Sequence, residues 1–149
     1  SPISVAYAKD DEDHIYQAEI YSTTPVPSKT GTYKREKRSR NVAHGAFKKA
    51  SYKCEINPKH STFLLENGFP YIEAHHLVPL SKQSELGVNL DVPENIVALC
   101  PNCHRTIHYS EKTIRIENLE TLYKRRHVQL SKVEIRVTLS ELARMYNCV

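Results

Sequence analysis

Between Asn41 and Lys53 the apolar residues Val42, Ala43, Ala46, Phe47 and Ala50 recur at the three- and four-residue intervals of a helix face, with Asn41 placed to cap its start. That helix would turn Lys48, Lys49 and Lys53 to its polar side. Cys54 opens an irregular stretch in which Asn57-Pro58 marks a turn. Tyr71 to Leu77 then reads as a strand ended by Pro79, residues 81–94 as a loop, and Asn95 to Leu99 as a second short apolar strand. Cys100-Pro101-Asn102-Cys103 forms a tight knuckle, and His104 to Tyr109 begins a helix, so the order is strand, loop, strand, helix. Beyond it Ile116, Leu119, Leu122, Tyr123 and Leu130 predict another helix running to about Leu130. Thr138-Leu-Ser-Glu141 has the spacing of a capping box before a final helix through Met145. Residues 1–40 show no sustained period. The stretch 23–31, rich in Thr, Pro and Ser, has linker composition, and the Tyr-containing stretch before it could form a short strand.

A chain of 149 residues has room for one domain with flanks. The pattern divides it into an extended segment over 1–40, a core over 41–110 and a helical extension over 111–149. No run of about 18 apolar residues occurs, which predicts no membrane contact through a spanning helix. The opening Ser-Pro-Ile-Ser carries neither a basic nor an apolar leader region. Lacking Met, it reads as part of something longer. Charge is unevenly spread. Residues 1–28 hold one Lys against five acids, whereas residues 29–53 hold nine basic residues against Glu36 alone, and the remainder balances. The basic block Lys34, Arg35, Lys37, Arg38 and Arg40 fits a solvated linker. It equally fits contact with a nucleic-acid backbone, where cations release condensed counterions.

The chemistry is concentrated in the middle. Five of the eight His (60, 75, 76, 104, 108) and three of the four Cys lie between positions 54 and 108. Few Cys, interleaved with His, suit metal binding in a reducing cytoplasm better than a disulfide scaffold. Thiolates favour zinc in a closed four-ligand site. Cys100 and Cys103 supply half of one, and Cys54 a third ligand. Position 57, where a second Cys-x-x-Cys would finish the set, is Asn. His60 is the nearest replacement, with Cys148 the alternative. His104 and His108, four apart on a helix, point to one face. His75 and His76, adjacent on a strand, point to opposite faces. They can serve one site only by dividing the labour: one imidazole holds an ion, and the other takes a proton from attacking water. A metal-dependent hydrolase needs that division.

Two segments carry a resemblance: Glu73-Ala-His75-His76-Leu-Val-Pro79-Leu80, and Glu94-Asn95-Ile-Val-Ala-Leu99-Cys100-Pro-Asn-Cys103-His104-Arg-Thr-Ile-His108. Together they resemble the HNH (ββα-metal) endonucleases, in particular bacterial restriction-type HNH domains. The resemblance implies an α+β fold with a ββα-metal, treble-clef-like core, a structural zinc site and flanking helices. It implies His76 as general base and Asn95 as the residue that steadies the loop between the strands. His75 and His104 would be ligands of a catalytic ion, with His108 a further ligand. The ion would be Mg²⁺, Mn²⁺ or Ni²⁺: oxygen-rich substrates favour the first, imidazole donors the others. The expected zinc set is Cys54, His60, Cys100 and Cys103. Double-stranded DNA becomes the expected substrate, cut or nicked in restriction or defence in a prokaryotic cytoplasm. Lys34, Arg35, Lys37, Arg38, Arg40, Lys48, Lys49 and Arg105 then become candidate phosphate contacts. A single ββα site cuts one strand at a time, so double-strand cleavage would need a homodimer or two events. The other readings are an RNase using the same site and a zinc-stabilised nucleic-acid-binding module without catalysis. The latter would need only the zinc ligands and the basic block.

Overall fold

A computed structural model describes Tyr21 and residues 32–148, with the backbone alone over 32–39. The acidic and Pro-rich stretches of residues 1–31, Tyr21 excepted, lie outside the described residues, as do the side chains of Lys34, Arg35, Lys37 and Arg38. Helix α1 spans Thr32–Lys49. It begins at Thr32, so Asn41 is an interior helical residue and not the cap, and 32–40 is helical backbone, not an extended segment. The stretch 33–40 contains Lys, Arg and Glu but no Gly or Pro, and such residues prolong a helix without needing an apolar face to dock. Ala43, Ala46 and Phe47 form its buried stripe. It ends where Ser51 and Tyr52 take positive φ, both 55°, and Tyr52 N–H bonds back to Phe47 O at 2.9 Å. The Tyr52 ring is held in that posture by stacking on Phe69, centroids 4.5 Å apart.

Strands β1 (Glu73–His76) and β2 (Ile96–Leu99) make a two-stranded antiparallel sheet. Glu73 faces Leu99, Ala74 faces Ala98, His75 faces Val97 and His76 faces Ile96. β1 is shorter than the predicted Tyr71–Leu77. Tyr71 instead belongs to a small hairpin, joined through Tyr71 N to Phe63 O at 2.9 Å. Period-two alternation sets Glu73 and His75 on one face and His76 on the other. The segment between the strands is not a plain loop. It contains a helical turn α2 (Gln83–Leu86), closed by Gly87 at φ 67°, and 3-10 turns at Leu80–Lys82 and Pro93–Asn95.

Helix α3 (Pro101–Tyr109) starts at the knuckle, earlier than His104. Pro101 takes the first turn, where no amide donor is needed, and the Cys100 sulfur caps the Cys103 amide at 3.4 Å. Helices α4 (Lys112–Lys132) and α5 (Leu139–Met145) pack on the ββα unit through Leu119, Leu122, Leu130 and Leu142. The Thr138–Glu141 capping box has both reciprocal bonds. The fold is thus mixed: helices around a small antiparallel sheet, with Cys and His clusters at the sheet's end. No described helix is long and apolar enough to cross a membrane.

Candidate metal centres

Cys54, His60, Cys100 and Cys103 present donor atoms that all lie within 4.8 Å of one another. His60 Nδ1 is 3.4 Å from Cys103 Sγ and 3.6 Å from Cys100 Sγ. Three thiols and an imidazole at such separations suit one tetrahedral zinc. Asn57 takes another part: its side chain accepts the Lys59 amide at 2.9 Å and its carbonyl the His60 amide at 3.0 Å. That Asx turn swings His60 toward the knuckle. Cys148 stays outside the cluster, its thiol donating to Tyr146 O at 3.5 Å. Of these thiols Cys54 is already poised for deprotonation. A hydrogen bond from Cys103, reinforced by the amides of Cys100, Asn57 and Ile56 against the opposing effect of burial, holds Cys54 at about 4. Cys103 is pushed up in turn by that bond to Cys54, by burial and by its bond to Cys100. A cation would replace the proton these sulfurs share.

The geometry around Cys54 rests on a buried ion pair. The Glu55 amide donates to Ala98 O at 2.8 Å, and its carboxylate accepts the Ala98 amide at 2.6 Å. Arg126 of α4 meets the same carboxylate through Nε at 3.0 Å and Nη2 at 2.8 Å. This fork ties Cys54 to the end of β2, beside Cys100.

The second cluster contains no sulfur. His75, His104 and His108 present donor nitrogens within 4.8 Å of one another. Their ring centroids form a near-equilateral triangle with sides of 5.1, 5.2 and 5.1 Å. His104 and His75 each meet a polar side chain. Glu73 Oε1 lies 2.7 Å from His104 Nδ1, and the Tyr71 hydroxyl donates to Glu73 Oε2 at 2.7 Å. Burial alone would raise the Glu73 carboxyl, but bonds from His104 and Tyr71 and the charges of His104 and Arg105 outweigh it and lower it. A carboxylate can only accept, so His104 Nδ1 carries the proton and the lone pair sits on Nε2. His75 Nε2 lies 2.6 Å from the Tyr146 hydroxyl.

His76 stands on the opposite face of β1, its Nε2 2.9 Å from Asp91 Oδ1. By the same rule Nε2 bears the proton, which leaves basic capacity on Nδ1. Asn95, completely buried, clasps the segment between the strands. Its Oδ1 accepts the Val78 amide at 2.8 Å, and Nδ2 donates to Val78 O and Leu90 O, both at 2.9 Å. The chain is thereby bent so that Asp91 returns to His76.

Residues 54–110, the span from the first zinc-set Cys to the end of α3, match the family model described as HNH endonuclease. This stretch is similar to an HNH endonuclease domain. Over 70 residues the protein is 44% identical to the type IV methyl-directed restriction enzyme EcoKMcrA of Escherichia coli (strain K12). That match takes in 47% of this chain and 23% of the enzyme, so the chain spans under a quarter of that relative's length.

Among the candidate backbone contacts, Lys48 and Lys49 are exposed at the end of α1 and Arg105 is exposed on α3 beside His104. Arg40 is half-buried. The partners Tyr71, Glu73, Asp91 and Tyr146, and the Glu55–Arg126 pair, were not among the predicted site residues. Glu73 had a signal, since alternation along β1 puts it on the His75 face; Tyr71 lies in the hairpin before β1, outside that alternation. Asp91, Arg126 and Tyr146 had none, because each reaches its partner only through the folded chain.

Proposed function

We propose that this chain is the cutting module of a DNA endonuclease acting in restriction or defence in a prokaryotic cytoplasm, with distinct structural and catalytic metal sites. The observation that carries the reading is the separation of donors: one cluster rich in thiols, the other made of imidazoles alone. Cys54, His60, Cys100 and Cys103 hold zinc and fix the start of α3. His75, His104 and His108 hold one divalent ion (Mg²⁺, Mn²⁺ or Ni²⁺), and Glu73 orients His104. A divalent ion bound there would polarise the phosphodiester and stabilise the leaving oxygen. His76 is the general base: Asp91 holds its Nε2–H, and Nδ1 takes the proton from the attacking water. Asn95 keeps that pair aligned. Lys48, Lys49 and Arg105, with the basic residues 34–40, offer charge to the DNA backbone. The proposed division is a segment over 1–40 whose helical part, 32–40, runs unbroken into the core as α1, the nuclease core over 41–110 and the supporting helices over 111–149.

The test is supercoiled plasmid with each of the three ions in turn, with an RNA of similar length in parallel. Wild type is expected to convert plasmid first to the nicked circle, since one site cuts one strand at a time. His76→Ala should slow this by roughly 10²- to 10⁴-fold while keeping its zinc. Equal rates for the two proteins would refute the role of His76. A wild type inert on both nucleic acids with every ion would favour the zinc-stabilised binding module instead.

A further inference from the structure

We propose that Tyr146, anchored by Arg115, is a positioning residue for the imidazole cluster, selecting which nitrogen of His75 meets the ion. The inference rests on the reading of His75, His104 and His108 as an ion site. It adds residues that lie beyond 54–110, the stretch that matches the HNH model.

The argument is a count of protons. Tyr146 follows α5 and is buried, 4% exposed. Its oxygen lies 2.6 Å from Leu77 O, 3.3 Å from His76 O and 2.6 Å from His75 Nε2. A phenol has one proton, and a carbonyl has none to give. The hydroxyl therefore donates to Leu77 O, and its lone pair must accept from His75. Were it to donate to His75 instead, two acceptor oxygens would face each other at 2.6 Å. His75 Nε2 thus carries hydrogen, and Nδ1 holds the lone pair suited to a cation. Tautomer selection by such an outer partner supports metal affinity by about ten- to a hundredfold.

Arg115 anchors the main chain at Tyr146, not its hydroxyl, against the end of α3. Its Nη1 donates to Tyr146 O at 2.6 Å and its Nη2 to Ser110 O at 2.7 Å. Ser110 is the residue that ends α3, the helix carrying His104 and His108. One guanidinium therefore links the chain end that orients His75 to the helix that supplies the other two imidazoles. On this account the helices after residue 110 are part of the ion site and not an appendage.

The test is Co²⁺ titration of zinc-loaded full chain, followed by ligand-field absorption. Cobalt bound by thiolates shows sulfur-to-metal charge transfer, whereas cobalt at the imidazoles does not, so the two sites are read separately. Tyr146→Phe keeps the ring and is expected to weaken cobalt binding at the imidazole site about ten- to a hundredfold, with zinc at the cysteines unchanged. Phe47→Leu, which loosens the core at α1 and leaves the helices after residue 110 intact, should leave cobalt affinity near wild type. Unchanged affinity in Tyr146→Phe overturns the proposal, as does an equal loss in Phe47→Leu, which would trace the effect to packing. A wild type that binds no cobalt outside the thiolate site removes the ion site itself, and with it this proposal, before any variant is compared.

Discussion

The Glu55–Arg126 pair is the most exposed to a quantitative test, because the structure specifies what each partner loses. In Arg126→Met the aliphatic volume is kept, but Glu55, 5% exposed, loses a two-point fork. The guanidinium also bonds Ile96 O at 2.8 Å, Pro93 O at 3.2 Å and Glu94 O at 3.3 Å. Breaking a buried pair from one side costs about 3–5 kcal/mol, since the remaining charge stays buried without its counter-ion. Glu55 keeps the Ala98 amide, and Arg125 stands 3.8 Å from its carboxylate, half exposed to water. The lower part of that range is therefore expected, still a large share of a typical domain stability of about 5–15 kcal/mol. Urea unfolding of zinc-loaded protein measures it, with Glu55→Gln and the double variant closing a mutant cycle. The double variant should recover about 1–3 kcal/mol of the summed losses. If Arg126→Met costs less than about 1 kcal/mol, or if the two losses simply add, the pair is not what joins Cys54 to β2.

Cys100→Ser removes both a thiolate and the sulfur that caps α3, so zinc content should fall well below one per chain and the melting temperature by about 10 °C or more. Chelation of the wild-type zinc should do the same. His76→Ala, in contrast, should melt like wild type, and matched melting of the two variants would refute the division into structural and catalytic sites. Asn95→Ala orphans the Val78 amide and the carbonyls of Val78 and Leu90, a cost of about 3 kcal/mol by urea unfolding. Cleavage should fall with it because Asp91 loses its position, and full activity would show that His76 is oriented without the clasp.

The candidate metal donors were legible along the chain because they are constrained locally. Two-residue spacing brings Cys100 and Cys103 into one cluster, four-residue spacing puts His104 and His108 on one helix face, and alternation parts His75 from His76. The capping box at Thr138 was legible for the same reason: its partners are three residues apart. Where the reading failed, hydrophobic period carried no signal. The start of α1 at Thr32 follows from residues that need no apolar partner, which a search for hydrophobic period overlooks. The short helical turns between the strands are organised by Asn95, which sits in the last of them and reaches back to Val78 and Leu90.

The sequence by itself determined which atoms could bind metal, and the ββα order that carries them. Only the tertiary structure decided which electronic form those atoms take. Whether His75 offers Nδ1 or Nε2, and whether His76 has a carboxylate behind it, depends on Tyr146 and Asp91, and Cys54 reaches Cys100 through an arginine on α4. Spacing limits what one element can present to its own neighbours. A proton's location on an imidazole is set by whatever donor or acceptor the folded chain brings to the other nitrogen, and no local pattern encodes that residue.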